Sequence, residues 1–247
     1  RQPGSTFKPI VYGAALEKGI PPDRAFRDVV QEFRARDGSV WKPTDMDGNS
    51  GRAMPMRDGL VYSKNTTTAQ VMQEVGVGPI VNLARAMGIR QSKLEEVPSL
   101  ALGTSPVTLL EMVSTYATIA AEGEYRQPIF VRRIEDRDGN VVAEFGTAPP
   151  QRALSQAASV QLIDMLRGVL QRGTGGGVRS RFGIYGDLAG KTGTTQNNTD
   201  GWFIMMHPNL VGGAWVGFND NRVTLRSSYW GQGGHNAALV VGDFFRG

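Results

Sequence analysis

Between residues 5 and 18, Phe7, Ile10, Val11, Ala14 and Ala15 recur three and four apart, the period of a helix face. Gly19 stands where a C-terminal cap belongs, and Pro21-Pro22 stop continuation. Pro9 is compatible, because backbone N–H groups in a first helical turn have no intrahelical partner to lose. Residues 21–58 are rich in Pro, Asp, Gly and Arg and lack sustained period, which predicts a long excursion of short strands and turns. Helices are expected at about 56–62, 66–75 and 79–87, with Gly76 and Gly88 ending the last two. Two longer amphipathic stretches follow, 106–121 (closed by Gly123) and 155–171. Between them, "IFVRRIEDRDGNVVAEF" alternates around Asp138-Gly139-Asn140 and predicts a hairpin.

The tail changes period. "GDLAGKTGTT", "GWFIMMHP", "LVGGAWVGFN" and "VTLRSSY" are short β-type runs separated by turn residues, and Asn236 to Phe245 reads as a last helix. Helices first and adjacent strands late predict an α+β fold, an antiparallel sheet flanked by helices. There is no internal repeat, and Gly175-Gly176-Gly177 marks a local joint without a domain boundary. Residues 1–247 are therefore expected to form one domain. The start at Arg1, without a methionine, leads us to expect a piece of a longer chain.

Composition narrows the chemistry. The chain has 247 residues, 40% hydrophobic and 20% charged, an ordinary globular balance. Its 27 basic residues are scattered among 23 acids, so the net charge of +4 describes a mixed surface and argues against a nucleic-acid partner. With no cysteine, disulfides, thiolate metal sites and cysteine nucleophiles are excluded. No apolar run approaches the roughly 20 residues of a membrane span. His207 and His235 are 28 apart with no carboxylate pattern that suggests a metal.

Three short motifs carry candidate chemistry. In Ser5-Thr6-Phe7-Lys8 the serine and lysine share a helix face, so the amine can reach the hydroxyl. A serine is a poor nucleophile until a base takes its proton, and a lysine serves as that base only if its pKa falls. Taken alone, the pair also fits a capping serine and a surface lysine. Ser63-Lys64-Asn65 lies between two predicted helices, where its Ser and Asn can donate and accept, or cap a helix. Lys191-Thr192-Gly193-Thr194 follows Gly190 in a β-type run. A phosphate loop would need glycine at residue 185, which is Tyr185, so that reading fails on register. What remains is a cation and two hydroxyls alternating along one strand face, a cradle for a carboxylate, with Gly193 leaving room for another backbone.

Together the motifs change the picture. S-x-x-K with S-D-N and K-T-G is the signature of class A β-lactamases and penicillin-binding proteins, and motifs of all three types occur here in that order, at residues 5, 63 and 191. "PGSTFKPIVYGAALEKG", "LVYSKNTTT", "LALGTSPVTLLEMVSTYATIAAEGEY" and "AGKTGTTQNNTDGWF" extend the likeness over essentially the whole chain. The sequence resembles the transpeptidase domain of class A, bifunctional penicillin-binding proteins. It departs from the signature at Lys64, where an aspartate is the common form, so Lys64 receives no role. In the family an upstream segment supplies part of the sheet, and only four residues precede Ser5 here, so those strands are expected to lie outside this chain.

The resemblance implies a D,D-transpeptidase acting on peptidoglycan stem peptides that end in D-Ala-D-Ala, with β-lactams as covalent inhibitors. Ser5 would be the nucleophile and Lys8 its base, aided by the second cation Lys191. The backbone N–H groups of Ser5 and Thr194 would hold the oxyanion. Lys191, Thr192 and Thr194 would hold the terminal carboxylate on the strand that Gly193 opens. Ser63 would relay the proton to the leaving group, and Asn65 would bond the substrate amide and fix Lys8. No cofactor and no metal are implied. A cell-envelope, extracytoplasmic location is implied, with a membrane anchor and a glycosyltransferase domain upstream in the full-length protein. A class A β-lactamase would add an E-x-x-L-N string, and none occurs between residues 66 and 186. A D,D-carboxypeptidase and a non-catalytic β-lactam sensor share all three motifs and stay open.

Overall fold

The computed structural model describes residues 1–34, 38–220 and 222–247. The three residues omitted from the 21–58 excursion, and Asn221, lie outside the described residues. The chain enters through a 3₁₀ turn, Gly4–Phe7, that runs directly into α1, Lys8–Glu17. Pro9 is the second residue of α1, so its missing N–H leaves no gap. All residues of α1 from Lys8 to Leu16 are buried, which makes it the central helix of the molecule. It packs against α3 (Asn65–Val75), α4 (Val77–Ala86) and α6 (Gln156–Gln171).

The 21–58 excursion contains β1 (Ala25–Arg27), β2 (Phe33–Arg34), β3 (Val40–Trp41) and β4 (Ala53–Pro55), paired as β1–β4 and β2–β3. It ends in α2, Met56–Val61. Gly76 ends α3 at φ +93°, and Gly88 follows α4 at φ +119°. A second 3₁₀ turn, Pro98–Leu102, precedes α5, Leu109–Ala120. Thr108 and Glu111 close a reciprocal capping box at the start of α5. The expected hairpin is present as β6 (Arg133–Glu135) and β7 (Val141–Glu144), framed by β5 (Glu124–Tyr125) pairing with β8 (Gln151–Arg152). Ser155 caps α6 through a bond from the Ala158 N–H, and α7, Gly177–Phe182, follows.

The sheet comes late in the chain, as its period predicts. β9 (Ala189–Thr194), β10 (Asp200–His207) and β11 (Leu210–Gly217) form an antiparallel sheet in the order β11-β10-β9. β10 is buried from Asp200 to Met206, and its alternation divides the interior. Trp202, Ile204 and Met206 join the main core with α1 and α6, while Phe203 and Met205 join a second cluster with α8, Ala237–Arg246. The run "VTLRSSY" is not a strand. Residues 222–236 turn repeatedly, and their backbone is satisfied by local bonds and by the Asn198 carbonyl, which accepts from the Leu225 N–H at 3.1 Å. Alternation without a neighbouring strand did not suffice to extend the sheet. No helix among the described residues is long and apolar enough to cross a membrane.

Candidate active site

Three separate parts of the chain meet where α1 begins. Gly4 adopts φ +53°, and a Cβ there would lie 2.7 Å from the Thr194 carbonyl oxygen, so only glycine lets the first turn lie against β9. Gly103, at φ +74°, supports it from behind and accepts a bond from the Gly4 N–H at 3.3 Å. Gly193 opens the same approach, since a Cβ there would meet the Pro3 carbonyl oxygen at 2.7 Å. The close backbone approach expected at Gly193 is therefore made by the turn that carries Ser5.

The pleat of β9 corrects the reading of its side chains. Lys191 and Gly193 share one face, and Thr192 and Thr194 share the other, because consecutive strand residues point to opposite sides. Lys191 is fully buried and its ammonium donates to the Ser63 hydroxyl at 2.8 Å and to the Thr192 carbonyl at 3.1 Å. The Thr192 hydroxyl is buried against that of Thr174, 2.7 Å away. The Thr194 hydroxyl accepts from the Gly233 N–H at 3.1 Å, which leaves its own proton to donate.

The edge of β9 also fixes a backbone donor. The Thr195 N–H bonds to the Asp200 carbonyl at 3.1 Å. Antiparallel pairs alternate between hydrogen-bonded and open, so the Thr194–Gly201 pair is open and the Thr194 N–H points to the outer edge of the sheet. The Ser5 turn lies along that edge. Ser5 itself is partly accessible, and its hydroxyl has no hydrogen-bond partner among the described residues.

Lys8 does not bond to Ser5. Its ammonium donates to the Ser63 carbonyl at 2.6 Å, to Asn65 Oδ1 at 2.7 Å and to the Ser63 hydroxyl at 3.3 Å. Ser63 holds φ +57°, a left-handed conformation that a serine adopts at a cost, and both lysines clamp it there. Burial is the main reason that Lys8 falls from 10.5 to about 7. Asp45 and Asp47 oppose that shift and Lys64 assists it. Burial, and then Lys8, push Lys191 well below its ordinary value. The resemblance pointed to the second cation, Lys191, as an aid to Lys8; burial is the main cause of the shift, and the cation that assists it is Lys64. The amine is thereby available as a proton acceptor near neutral pH.

Lys64 has a structural part. Its ammonium bonds both carboxylate oxygens of Asp47 at 2.9 Å and the Gly48 carbonyl at 3.1 Å. It also caps α3 without a side-chain cap of its own.

The model of the penicillin binding protein transpeptidase domain matches residues 1–211. The chain belongs to that family. Penicillin-binding protein 1A of Neisseria gonorrhoeae is 34% identical over 253 residues, an alignment that covers 100% of this chain and 31% of that protein. Penicillin-binding protein 1A of Rickettsia conorii is 34% identical over 242 residues, covering 89% of this chain and 30% of that protein. The chain thus spans under a third of the length of these relatives. Together they identify it as a class A penicillin-binding transpeptidase domain. The crystal structure of penicillin-binding protein 1A from Haemophilus influenzae superposes with a TM-score of 0.88 at 23% identity, over 98% of this chain and 42% of that one. PonA1 of Mycobacterium tuberculosis, solved in complex with penicillin V, gives 0.82 at 22%, over 100% and 69%. Penicillin-binding protein A from the same organism, solved as its imipenem acyl-enzyme, gives 0.80 at 21%, over 100% and 60%. The α+β fold of this transpeptidase domain is that of its solved relatives.

The candidate site contains residues that sequence reasoning missed. Thr44 accepts at its carbonyl from Asn65 Nδ2 at 2.8 Å, and Asp45 Oδ1 accepts from the Asn65 N–H at 2.5 Å. Thr174 backs Thr192. Each reaches the site from an aperiodic loop. The turn-rich "PTDMDGNSG" signalled only a loop.

Proposed function

We propose that this chain performs the acyl transfer of a serine D,D-transpeptidase, cross-linking peptidoglycan stem peptides through an ester on Ser5. The observation that carries this reading is the convergence of Lys8 and Lys191 on the Ser63 hydroxyl, beside a partly accessible Ser5 with no bonded partner. Neutral Lys8 takes the Ser5 proton, and Ser5 Oγ forms a bond to the penultimate D-Ala carbonyl carbon. The N–H groups of Ser5 and Thr194 receive the oxyanion, donors worth roughly 3–4 kcal/mol each to a transition state. When the amide C–N bond breaks, the proton passes from Lys8 through Ser63 to the departing D-Ala amine. The free Thr194 proton holds the terminal carboxylate from one face of β9, on which Thr192 lies beside Thr174, and Lys191 reaches it from the Ser63 side.

Asn65 orients Lys8 through Oδ1, and its amide nitrogen, one proton of which the Thr44 carbonyl takes, offers the other to the substrate amide. An amine from a second stem peptide then attacks the ester, forming the cross-link and releasing Ser5. A β-lactam carries the same carboxylate and a strained amide, so it acylates Ser5. We place the whole protein at the extracytoplasmic face of the cell envelope, in keeping with its longer relatives.

Mass spectrometry after penicillin treatment tests the assignment. An adduct on the peptide containing Ser5, absent in Ser5→Ala, is the expected result. Equal labelling of both proteins would discard it. Release of D-Ala that rises with an added acceptor amine, with the amine found in product, distinguishes a transpeptidase from a carboxypeptidase. Acylation without stem-peptide turnover identifies a sensor.

A further inference from the structure

Asn65 can orient Lys8 only if its carboxamide is held the right way round, and that orientation is set from the 44–50 loop. The Thr44 carbonyl accepts from Asn65 Nδ2, which leaves Oδ1 facing the Lys8 ammonium at 2.7 Å. Asp45 grips the adjoining backbone. One carboxylate oxygen accepts from the Asn65 N–H at 2.5 Å, and the other accepts from the Thr66 hydroxyl at 2.8 Å and from Asn49 Nδ2 at 3.0 Å. The loop is fastened in turn by Lys64, bonded to Asp47 and Gly48, and by buried Asp28, which accepts from Asn49 and the Ser50 N–H and shares the Thr66 hydroxyl proton with Asp45. Asp45 thereby caps the first turn of α3 and places a carboxylate one residue from the group that holds the amine.

We propose that Asp45 is a positioning residue for the Ser5 reaction, acting through Asn65 on the Lys8 amine. This rests on the acyl-transfer reading above. Asp45 does not touch the reacting atoms. It holds Asn65 in register, and its charge is the largest that favours the protonated form of a buried lysine.

The charged groups around Lys8 come from three elements. Lys191 shares the Ser63 hydroxyl with it from β9, Lys64 acts from the cap of α3, and Asp45 and Asp47 act from the loop of the excursion. Burial lowers the Lys8 pKa, Asp45 is the largest electrostatic influence raising it, and Lys64 lowers it. The two residues therefore act on Lys8 in opposite directions. Asp45→Asn keeps an oxygen for the Asn65 N–H and removes the charge, so Lys8 loses its proton at lower pH. Lys64→Met removes a like charge, so Lys8 holds its proton to higher pH. Asp45→Ala removes both acceptor and charge.

The test follows Lys8 directly, by the ¹³C shift of its ε carbon in lysine-labelled protein, assigned with Lys8→Arg and titrated from pH 5 to 11. Acylation rate constants with fluorescent penicillin are measured in parallel. We expect the Lys8 midpoint to fall in Asp45→Asn and to rise in Lys64→Met, each by half a unit or more, with both proteins keeping the wild-type circular dichroism spectrum. The acylation midpoint moves with it. Asp45→Ala lowers the plateau acylation rate at least tenfold, and Asp45→Asn recovers most of it. Unchanged Lys8 midpoints in both Asp45→Asn and Lys64→Met, or equal plateau rates in Asp45→Ala and wild type, would overturn the proposal. The amine titration reads without any acylation, so a wild type that fails to label at Ser5 defeats the acyl-transfer reading and is told apart from a failure of Asp45 alone.

Discussion

Lys8 and Lys191, 183 positions apart in sequence, donate to the same hydroxyl, that of Ser63, at 3.3 and 2.8 Å. Both side chains are fully buried, and neither amine has a bonded carboxylate among the described residues. Two ammonium groups sharing one neutral acceptor in a buried site are a poor arrangement for charge, and the site gains from losing a proton. The geometry thus favours a neutral amine at the start of α1.

The first prediction concerns pH. Lys8 acts as a base only when neutral, and with a pKa of about 7 half of it is neutral at that pH. The penicillin acylation rate should therefore rise with pH through about 7, drop about tenfold per unit below it, and level off above. Lys8→Arg, charged at every pH, should show neither the rise nor appreciable acylation. Stopped-flow measurement with a fluorescent β-lactam between pH 5 and 9 checks both. A flat profile would remove Lys8 as the base.

The second prediction concerns the carboxylate. Lys191→Met removes the ammonium and leaves the strand intact, since Lys191 sits within β9 and its neighbours pair with β10 through backbone. A hydrogen bond to a charged group contributes about 1.5–3 kcal/mol, so acylation by a β-lactam carrying its carboxylate should slow by about 10- to 150-fold. A methyl ester of the same compound has no such charge and should lose far less. Equal losses for acid and ester would show that Lys191 acts through Ser63 alone.

The candidate site residues were legible in the sequence because their motifs are short-range. Ser5 and Lys8 are three apart, Ser63 and Asn65 two apart, and Lys191 to Thr194 lie in one strand, so local spacing carried the site. The tertiary relations were legible only in part. The contact of Asn65 with Lys8 was implied by the resemblance and is present, whereas the direct Ser5–Lys8 bond that spacing suggested gives way to bonds with Ser63 and Asn65, more than 50 residues away in sequence. Asp45 and Thr174 sit in aperiodic loops, where no pattern shows which way a side chain turns. Residues 223–229 carried β alternation, but a strand needs a neighbour, and that information is nonlocal. The central helix was read from its apolar period, although a helix buried on all sides differs from a one-sided one only in lacking a polar face.

The third prediction concerns strain at Ser63. Its φ of +57° suits glycine and costs an L residue about 1 kcal/mol or more. Ser63→Ala and Ser63→Gly both lose the hydroxyl, so comparing them isolates the backbone. Ser63→Gly should be the more stable by about 1 kcal/mol, a rise of roughly 2–4 °C in Tm over Ser63→Ala. Both should acylate slowly, because the proton relay is gone. Calorimetry of the two variants decides it, and a less stable glycine variant would mean that the conformation carries no strain.

The fourth prediction concerns acid stability, at the cap of α5. Burial alone would raise the Glu111 carboxyl, yet bonds from Ser92, Thr108 and Gln91 hold it at about 2, below its ordinary 4.5. Gln91 and Ser92 N–H groups donate at 2.8 and 2.9 Å, the Ser92 hydroxyl at 2.5 Å, and the Thr108 N–H and hydroxyl at 3.1 and 3.0 Å. Glu111 is only 6% exposed, so solvent screens these bonds little. A carboxyl with a depressed folded pKa contributes its full stability above the unfolded value and loses it as pH falls toward the folded one. The window here runs from about 4.5 down to about 2, and the contribution is on the order of 3 kcal/mol. Glu111→Gln should be destabilised at neutral pH by much of that amount, since a neutral amide turns a donor toward groups that also donate. The gap between variant and wild type should narrow below pH 4.5. Urea midpoints measured at pH 7, 5, 4 and 3 follow the gap, and a constant difference across that range would show that the Glu111 charge contributes nothing to the cap on α5.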